Sequence, residues 1–563
     1  MSRTHRCTAV PILLAILTLA TPERPLRAQP ARVHALFRAV DSVTTPGCVV
    51  GIDSSGTRWF TGIYGQQDLE RSLPIDTNTV FEAGSVSKQL TAAAVVLLSL
   101  EGRLSLDDNI RKWVPELPDY GDPITIRHLL AHQSGLRDYG NLFELSGWPR
   151  GTRAYSMADA LTLLSKQRAL NFRPGREYSY SNSNYVVAAI VIERVSGLTF
   201  QEYSQRAIFA PLGMRNTRWR TDYTAVIAHR AIAFTPTDSG AWHLDMPFEN
   251  VVGHGGLLTT VPDLLRWLRN LDTPTVGGAR FADLMQQPVP LRTGRATAYA
   301  MGLEIDKLGG QPLISHAGAT AGYRAWAGRL PARSLSAAVL CNAGSLNTEE
   351  LGPNVIAAAA SLPAPDYFAE PQLGAAVADG PRAALIGLYR SERTNQTVRV
   401  RAYERGVTLN SWTGYTAQND GSFRSDDGVR VLRAIVADGQ HRAPLSSGPI
   451  TRLRIRIAAD DSIDYVRVAP WSPTAGTLRA FAGTYRSSEA SAEWQLLVVG
   501  DSLVIERRSG QRDVAQPIYR DAFSVPGAGW TLRFRRDARG RVTALDVGIT
   551  RMRRLTMTRQ RGS

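Results

Sequence analysis

Apolar positions follow two rhythms along the 563 residues. As far as about residue 357 they recur at helical spacing or in short dense runs. From about residue 382 they alternate with polar ones. In the first region, Val33, Leu36, Phe37 and Val40 predict an amphipathic helix over 31–43, and strands follow near 47–52 and 57–63 across a Ser-Ser-Gly turn at 54–56. A helix opening at a serine near Ser85 is then apolar for three turns to Leu100. Residues 124–136 read as a short helix ended by glycine, and 172–185 as a polar, turn-rich loop. An apolar helix over 187–195 ends near Gly197, and a glycine-rich loop at 253–256 leads into a capped helix. Residues 314–330 predict two antiparallel edge strands, with a third over 334–341.

The second region begins after an Ala- and Pro-rich stretch, 358–381, that reads as a linker. Two segments there start alike, Leu385-Ile-Gly-Leu-Tyr-Arg-Ser and Phe481-Ala-Gly-Thr-Tyr-Arg-Ser, with Gly387 and Gly483 96 residues apart. Each continues in short period-two runs, such as Thr397–Arg401 and Trp494–Val499. The pattern predicts antiparallel β modules over 382–472 and 473–563, as two small barrels or one joint sheet.

Composition narrows the function classes. The formal charge is +15, almost all from arginine scattered along the chain, with no basic run interleaved with aromatics. Nucleic acid is therefore not an expected partner, whereas weak attraction to anionic envelope polymers fits the charge. Residues 1–28 carry Arg3 and Arg6, an apolar run from Val10 to Ala20 too short to span a bilayer, and Leu26-Arg27-Ala28 before Gln29. This predicts a secretory signal, export to a periplasm or cell surface, and no integral membrane span after cleavage. Beyond it stand only Cys48 and Cys341, each in a strand-like run, either as a pair or as two buried thiols. The nine histidines show no zinc spacing, so neither metal nor cofactor is expected.

Candidate chemistry centres on Ser85 and Lys88, three residues apart and so on one helix face. The chain has only four lysines, and one of them stands here. A partly buried lysine with a lowered pKa can take a serine's proton, and the helix N-terminus offers N–H groups to an oxyanion. In the polar loop, Tyr180 and Asn182 point the same way if extended; the tyrosine is a candidate base and the amide a candidate substrate contact. His132 and Ser134 read as loop-fixing groups, His316 as a polar contact to substrate, and the Ala319 N–H as a donor presented at a strand edge.

Taken in order, Ser85-x-x-Lys88, His132-Gln-Ser-Gly-Leu136, Phe172-x-Pro-Gly175, Tyr180-Ser-Asn182, Pro211-Leu-Gly-Met214, Gly255-Gly-Leu257 and His316-Ala-Gly318 resemble the serine β-lactamase and penicillin-binding superfamily. The class C β-lactamase-like branch, with its D-aminopeptidases, D-Ala carboxypeptidases and esterases, is the nearest. The resemblance covers about residues 32–350 and implies an α+β domain, with an antiparallel sheet drawn from both ends of the region 29–357 and an all-helical subdomain. It also implies that lipocalin-like β modules follow. Ser85 is then the nucleophile, Lys88 and Tyr180 move protons, Asn182, His316 and Gly318 contact substrate, and the N–H groups of Ser85 and Ala319 form the oxyanion hole. The implied strand order sets the Cys48 strand beside the Cys341 strand, which puts a disulfide on an equal footing with two thiols. Where the superfamily often has Lys-Thr-Gly, this chain has His316-Ala317-Gly318, which removes a fixed cation and a hydroxyl, although Arg324 stands nearby in sequence. The expected substrate is therefore a small ester, an amide or a D-amino-acid peptide. A penicillin-binding carboxypeptidase acting on cell-wall peptides or a weak β-lactamase comes next, and an inert envelope-binding protein last. The oligomeric state is left open.

Overall fold

The computed structural model describes residues 30–148, 151–364 and 380–560, apart from short stretches between 392 and 461 and position 509. The leader read at 1–28 and most of the linker at 358–381 lie outside the described residues. The helices that frame the first region are α1 (Pro30–Leu36), α2 (Ser87–Leu100), α3 (Asn182–Ser196), α4 (Val261–Asp272) and α5 (Thr348–Ala360).

α1 is shorter than the predicted 31–43 helix. It gives way to a 3-10 turn at Arg38–Val40, ahead of Ser42-Val-Thr-Thr-Pro46, whose β-branched residues and proline oppose helix. The predicted helix over 124–136 is likewise only Ile126–Leu130, closed at its start by a Thr125/His128 capping box. It ends at His132, which itself takes a positive φ of 55°, and not at the glycine. The imidazole is pinned there by the Ser181 N–H at 3.2 Å and Asn184 Nδ2 at 3.0 Å.

Both ends of the first region build one six-stranded antiparallel sheet. β1 (Cys48–Ser54) and β2 (Thr57–Tyr64) come from its start; β3 (Glu304–Leu308), β4 (Gln311–Thr320), β5 (Tyr323–Leu330) and β6 (Leu335–Cys341) come from its end. The order is β3-β4-β5-β6-β1-β2, so β5 and β6 are interior strands, and β4 is not the outer strand that the sequence suggested. β3 pairs with β4 only as far as Glu304 opposite Ser315. From His316 onward β4 therefore has a partner on one side only, and its other edge is open. One face of the sheet is covered by α1 and α5, whose Val33, Val355 and Ile356, with Phe37 just after α1, join Val50, Ile52 and Val339 in one cluster. The other face packs on α4 and, behind it, on α2, in which every residue from Ser87 to Leu98 is buried.

The β modules are two closed eight-stranded antiparallel barrels. The first runs from β7 (Gly387–Ser391) to β14 (Ser462–Val468) and the second from β15 (Gly483–Ser487) to β22 (Met552–Arg559). Closure leaves no unpaired edge. The sequence repeat has a structural counterpart: Tyr389 donates to the Leu385 carbonyl and Tyr485 to the Phe481 carbonyl, each at 2.9 Å. Arg467 and Arg559, from the closing strands, each bond the carbonyls just ahead of the matching glycine.

β1 and β6 set Cys48 directly opposite Cys341, and the structure joins them in a disulfide between fully buried positions. Protein beginning at or after Gln29 is expected to show no thiol reactive to a denaturing alkylation, and two after reduction. Two thiols before reduction would remove the bridge.

Candidate active site

The nucleophile turn is made by close approach of backbone to backbone. Phe81–Glu82 pairs with Leu257–Thr259, and the Ala83 N–H donates to the Leu257 carbonyl at 2.8 Å. The chain then turns through a 3-10 segment, Gly84–Val86, that runs directly into α2 and places Ser85 one turn before Lys88. Gly84 has φ +49°, and a Cβ there would stand 2.6 Å from the Ala319 nitrogen. On the facing strand a Cβ at Gly318 would stand 2.1 Å from the Ala83 carbonyl oxygen and 2.9 Å from the Ser85 nitrogen. Only glycine lets the open edge of β4 lie this close. The result is that the Ser85 and Ala319 amides meet on either side of one contact.

Lys88 is fully buried. Its Nζ lies 2.9 Å from Ser85 Oγ and donates to Asn182 Oδ1 at 3.0 Å and to the His254 carbonyl at 2.7 Å. Burial holds its pKa well below the usual lysine value, Arg551 lowers it further, and Asp138 and Glu304 oppose the shift. Burial favours the neutral amine, and the three contacts accommodate it. Two N–H bonds serve the two carbonyl-type oxygens, which can only accept, and the lone pair is left to face the serine hydroxyl. Asn182 is held for this at the first residue of α3, where Asp138 accepts its N–H at 2.7 Å.

Tyr180 packs its ring 4.8 Å from Lys88 Nζ and lines the cleft together with Ser85. Burial drives its pKa well above 10, with Ser85 and Arg551 pulling the other way. With water excluded from the ring the charged form is the costly one, so burial favours the protonated phenol at rest. His132 stacks on Tyr180 with centroids 4.2 Å apart and stays neutral through burial and the nearby Lys88. Ser134 bonds Asn184 at 2.5 Å, so both residues fasten the loop that carries Tyr180.

His316 lines the cleft, but both ring nitrogens are engaged within the protein. Nδ1 donates to the Ala317 carbonyl at 2.6 Å, and Nε2 accepts from the Tyr299 hydroxyl at 3.0 Å. Burial, with Lys88 second, pushes its pKa down to about 3, so it carries no charge at neutral pH. Arg324 reaches the same cleft with its guanidinium turned to the carbonyls of Ala321, Tyr323 and Gly344.

Ser85, Tyr180, Asn182, His316, Ala319 and Arg324 border a cleft of about 770 Å³. Four others that sequence reading passed over also line it: Tyr139, Glu249, Glu304 and Arg551. Tyr139 bonds His254 Nε2 at 2.9 Å and Glu249 at 3.3 Å. Arg551 comes from the turn between the last two strands of the second barrel, and no local pattern in the sequence marks it. Among the described residues no His/Cys/Asp/Glu group could hold a metal ion, and no helix is long and apolar enough to cross a membrane.

Comparison with known proteins agrees with this geometry. The family model described as Beta-lactamase matches residues 34–361. A D-aminopeptidase of Cereibacter sphaeroides is 26% identical over 560 residues, covering 94% of this chain and 99% of its own. Penicillin-binding protein 4* of Bacillus subtilis is 29% identical over 274 residues, covering 46% of this chain and 60% of its own. Among solved structures, the octameric penicillin-binding protein homologue from Pyrococcus abyssi superposes with a TM-score of 0.53 at 19% identity, over 94% of this chain and 98% of the other, a likeness of fold.

Glu304, partly buried on the cleft wall, is held protonated up to about pH 7 by burial and by Glu349 and Asp306, against the pull of Lys88. Its folded pKa lies above its ordinary value of 4.5, so the folded state binds the extra proton. The contribution to stability is complete below pH 4.5 and is lost as pH rises through about 7. Glu304→Gln is expected to be stabilised relative to the parent by roughly 1–3 kcal/mol at pH 8 and to show no such gain at pH 4. Denaturant melts at the two pH values test this, and an equal difference at both contradicts it.

Proposed function

The chain belongs to the beta-lactamase family of serine hydrolases, and within it we propose an enzyme that cleaves D-amino-acid amides or short D-peptides through an acyl-enzyme on Ser85. The observation that carries the reading is Lys88, buried and bonded to two oxygens that can only accept, with its third direction on Ser85 Oγ. In this mechanism Lys88 takes the Ser85 proton as Oγ attacks the amide carbonyl. The oxyanion forms between the N–H groups of Ser85 and Ala319, where each donor is worth about 10²–10³ in rate. Lys88, now an ammonium, returns the proton to the departing amine through the Tyr180 phenol, which gives one proton to the nitrogen and receives one. The C–N bond breaks and leaves the ester on Ser85. Water then attacks the ester with Lys88 again taking a proton, and the acid and Ser85 are released.

The substrate class rests on the D-aminopeptidase relatives, which match the β modules as well as the catalytic region. The neutral His316 and the methyl group of Ala317 weigh against rapid β-lactam hydrolysis, because that wall offers neither a fixed cation nor a hydroxyl. Export is part of the proposal: the Arg3/Arg6-led apolar leader supports it, and so does the Cys48–Cys341 disulfide.

Ser85→Ala is expected to abolish hydrolysis of D-alaninamide and labelling by a fluorophosphonate, with the fold retained; persistent turnover would falsify the assignment. Lys88→Arg puts a permanent cation where a base is needed and is expected to lose about 10²–10⁴-fold in kcat/KM. For the parent enzyme, kcat/KM should fall as pH is lowered and Lys88 takes up a proton. A profile with no acid limb would point to another base.

A further inference from the structure

The cleft contains a cation that no step of the acyl transfer touches, apart from its pull on Lys88 and Tyr180. Arg551 stands in the turn between β21 (Val542–Ile549) and β22, at the far end of the chain from Ser85, yet it lines the same cleft. Its backbone is clamped to the catalytic region. The Arg551 carbonyl accepts from the Asp138 N–H at 3.2 Å and from Asn171 Nδ2 at 3.1 Å. Two residues on, the Arg553 N–H donates to Asn171 Oδ1 at 2.6 Å, and the Arg553 side chain pairs with Glu177 at 3.0 Å. Behind the turn, Arg137 pairs with Glu489 at 2.7 Å, and Trp494 Nε1 donates to the Leu145 carbonyl at 2.9 Å. The turn is thus fixed by contacts on two sides.

The guanidinium itself is used differently from those of its neighbours. Its carbon lies 4.6 Å from the centre of the Tyr180 ring, which holds the planar group by cation–π contact and leaves its N–H fork available. Among the described residues it forms no ion pair, whereas Arg553 and Arg137 each have one. Arg324, the cation that sequence reading favoured for this cleft, directs its N–H groups at three backbone carbonyls. Lys88 is the other basic side chain at the centre and faces the serine. A planar fork on an aromatic ring beside a nucleophile is suited to a carboxylate, which it can meet with two parallel hydrogen bonds.

We propose that Arg551 is a specificity residue that binds a carboxylate of the substrate, so that the second barrel selects anionic amides, peptides or esters for Ser85. The inference rests on Ser85 being the nucleophile. The carboxylate has two sources, an acidic side chain on the acyl part or the free C-terminus of a peptide leaving group, and the test separates them.

Three pairs of substrates, each an acid and its uncharged amide, read the effect as a ratio of kcat/KM. D-Alanyl-glycine against D-alanyl-glycinamide places the charge on the leaving group. D-Glutamic acid α-p-nitroanilide against its D-glutamine counterpart places it on the acyl part. Mono-p-nitrophenyl glutarate against its terminal amide repeats the acyl test without an amino group. The parent is expected to favour the acid at least tenfold in one source. Arg551→Gln should bring that ratio to near one, Arg551→Lys should restore part of it, and Arg551→Glu should invert it. A merely structural role for Arg551 would lower both members of a pair together and leave the ratio in place. No preference in any pair, or a preference that survives Arg551→Gln, overturns the proposal. If only the ester pair is turned over and its ratio depends on Arg551, the proposal holds and the D-amino-acid reading fails. If no substrate is turned over, protection of Ser85 from a neutral phosphonate probe gives the same ratio as a binding measurement. Equal protection by acids and amides then counts against Arg551.

Discussion

The dryness around Lys88 is the constraint on which the site depends. A lysine in water is an ammonium and no base for serine. Lys88 reaches from α2 toward the start of α3, burial leaves a charge there unsolvated, and the uncharged form gains. That gain is useful only because the oxygens around it are placed to suit an amine. Asn182 is the first residue of α3, and the His254 carbonyl belongs to the glycine-rich loop, so three separate segments meet at one nitrogen. Proton transfer here is a property of packing as much as of the Ser85–Lys88 spacing.

The same logic of buried charge runs beneath the nucleophile. Glu82, two residues before Gly84, is fully buried and accepts from Arg220 at 2.8 and 3.2 Å, with Arg230 at 3.6 Å. Such a group adds little net stability against an apolar core, but removing one partner strands the other without solvent. It fixes the strand Phe81–Glu82 in one register and, through it, the position of the turn at Ser85. The close backbone contact at Gly84 and Gly318 then works from the other side, so the serine is held between an ion pair below and a strand edge above.

The parts of this arrangement legible in the sequence were those set by local pattern. Ser85 and Lys88 follow from helical spacing, Tyr180 and Asn182 from a polar loop before an apolar helix, and the paired β modules from period-two runs repeated 96 residues apart. Closure into two barrels was not legible, since alternation marks a strand without saying which strand completes the circle. The interior position of β5 was missed, and the place of β6 beside β1 came only from the family resemblance, since β1 lies at the other end of the region. Tyr180 showed its place but not its protonation, which depends on neighbours distant in the chain. Arg551 was silent. It is one arginine among several at the end of the chain, and its reach into the cleft comes from how a barrel docks.

That docking has a consequence for how the enzyme is made. Ser85 and Lys88 are synthesised well before the turn that carries Arg551. The segments around the lysine, α2, α3 and the glycine-rich loop, all precede the second barrel in the chain. Arg551 joins the cleft only with the turn that leads into β22. On the proposed reading, the order of synthesis separates the capacity for acylation from the choice of what is acylated. A shortened chain that still folds its first region would be less discriminating before it was less reactive.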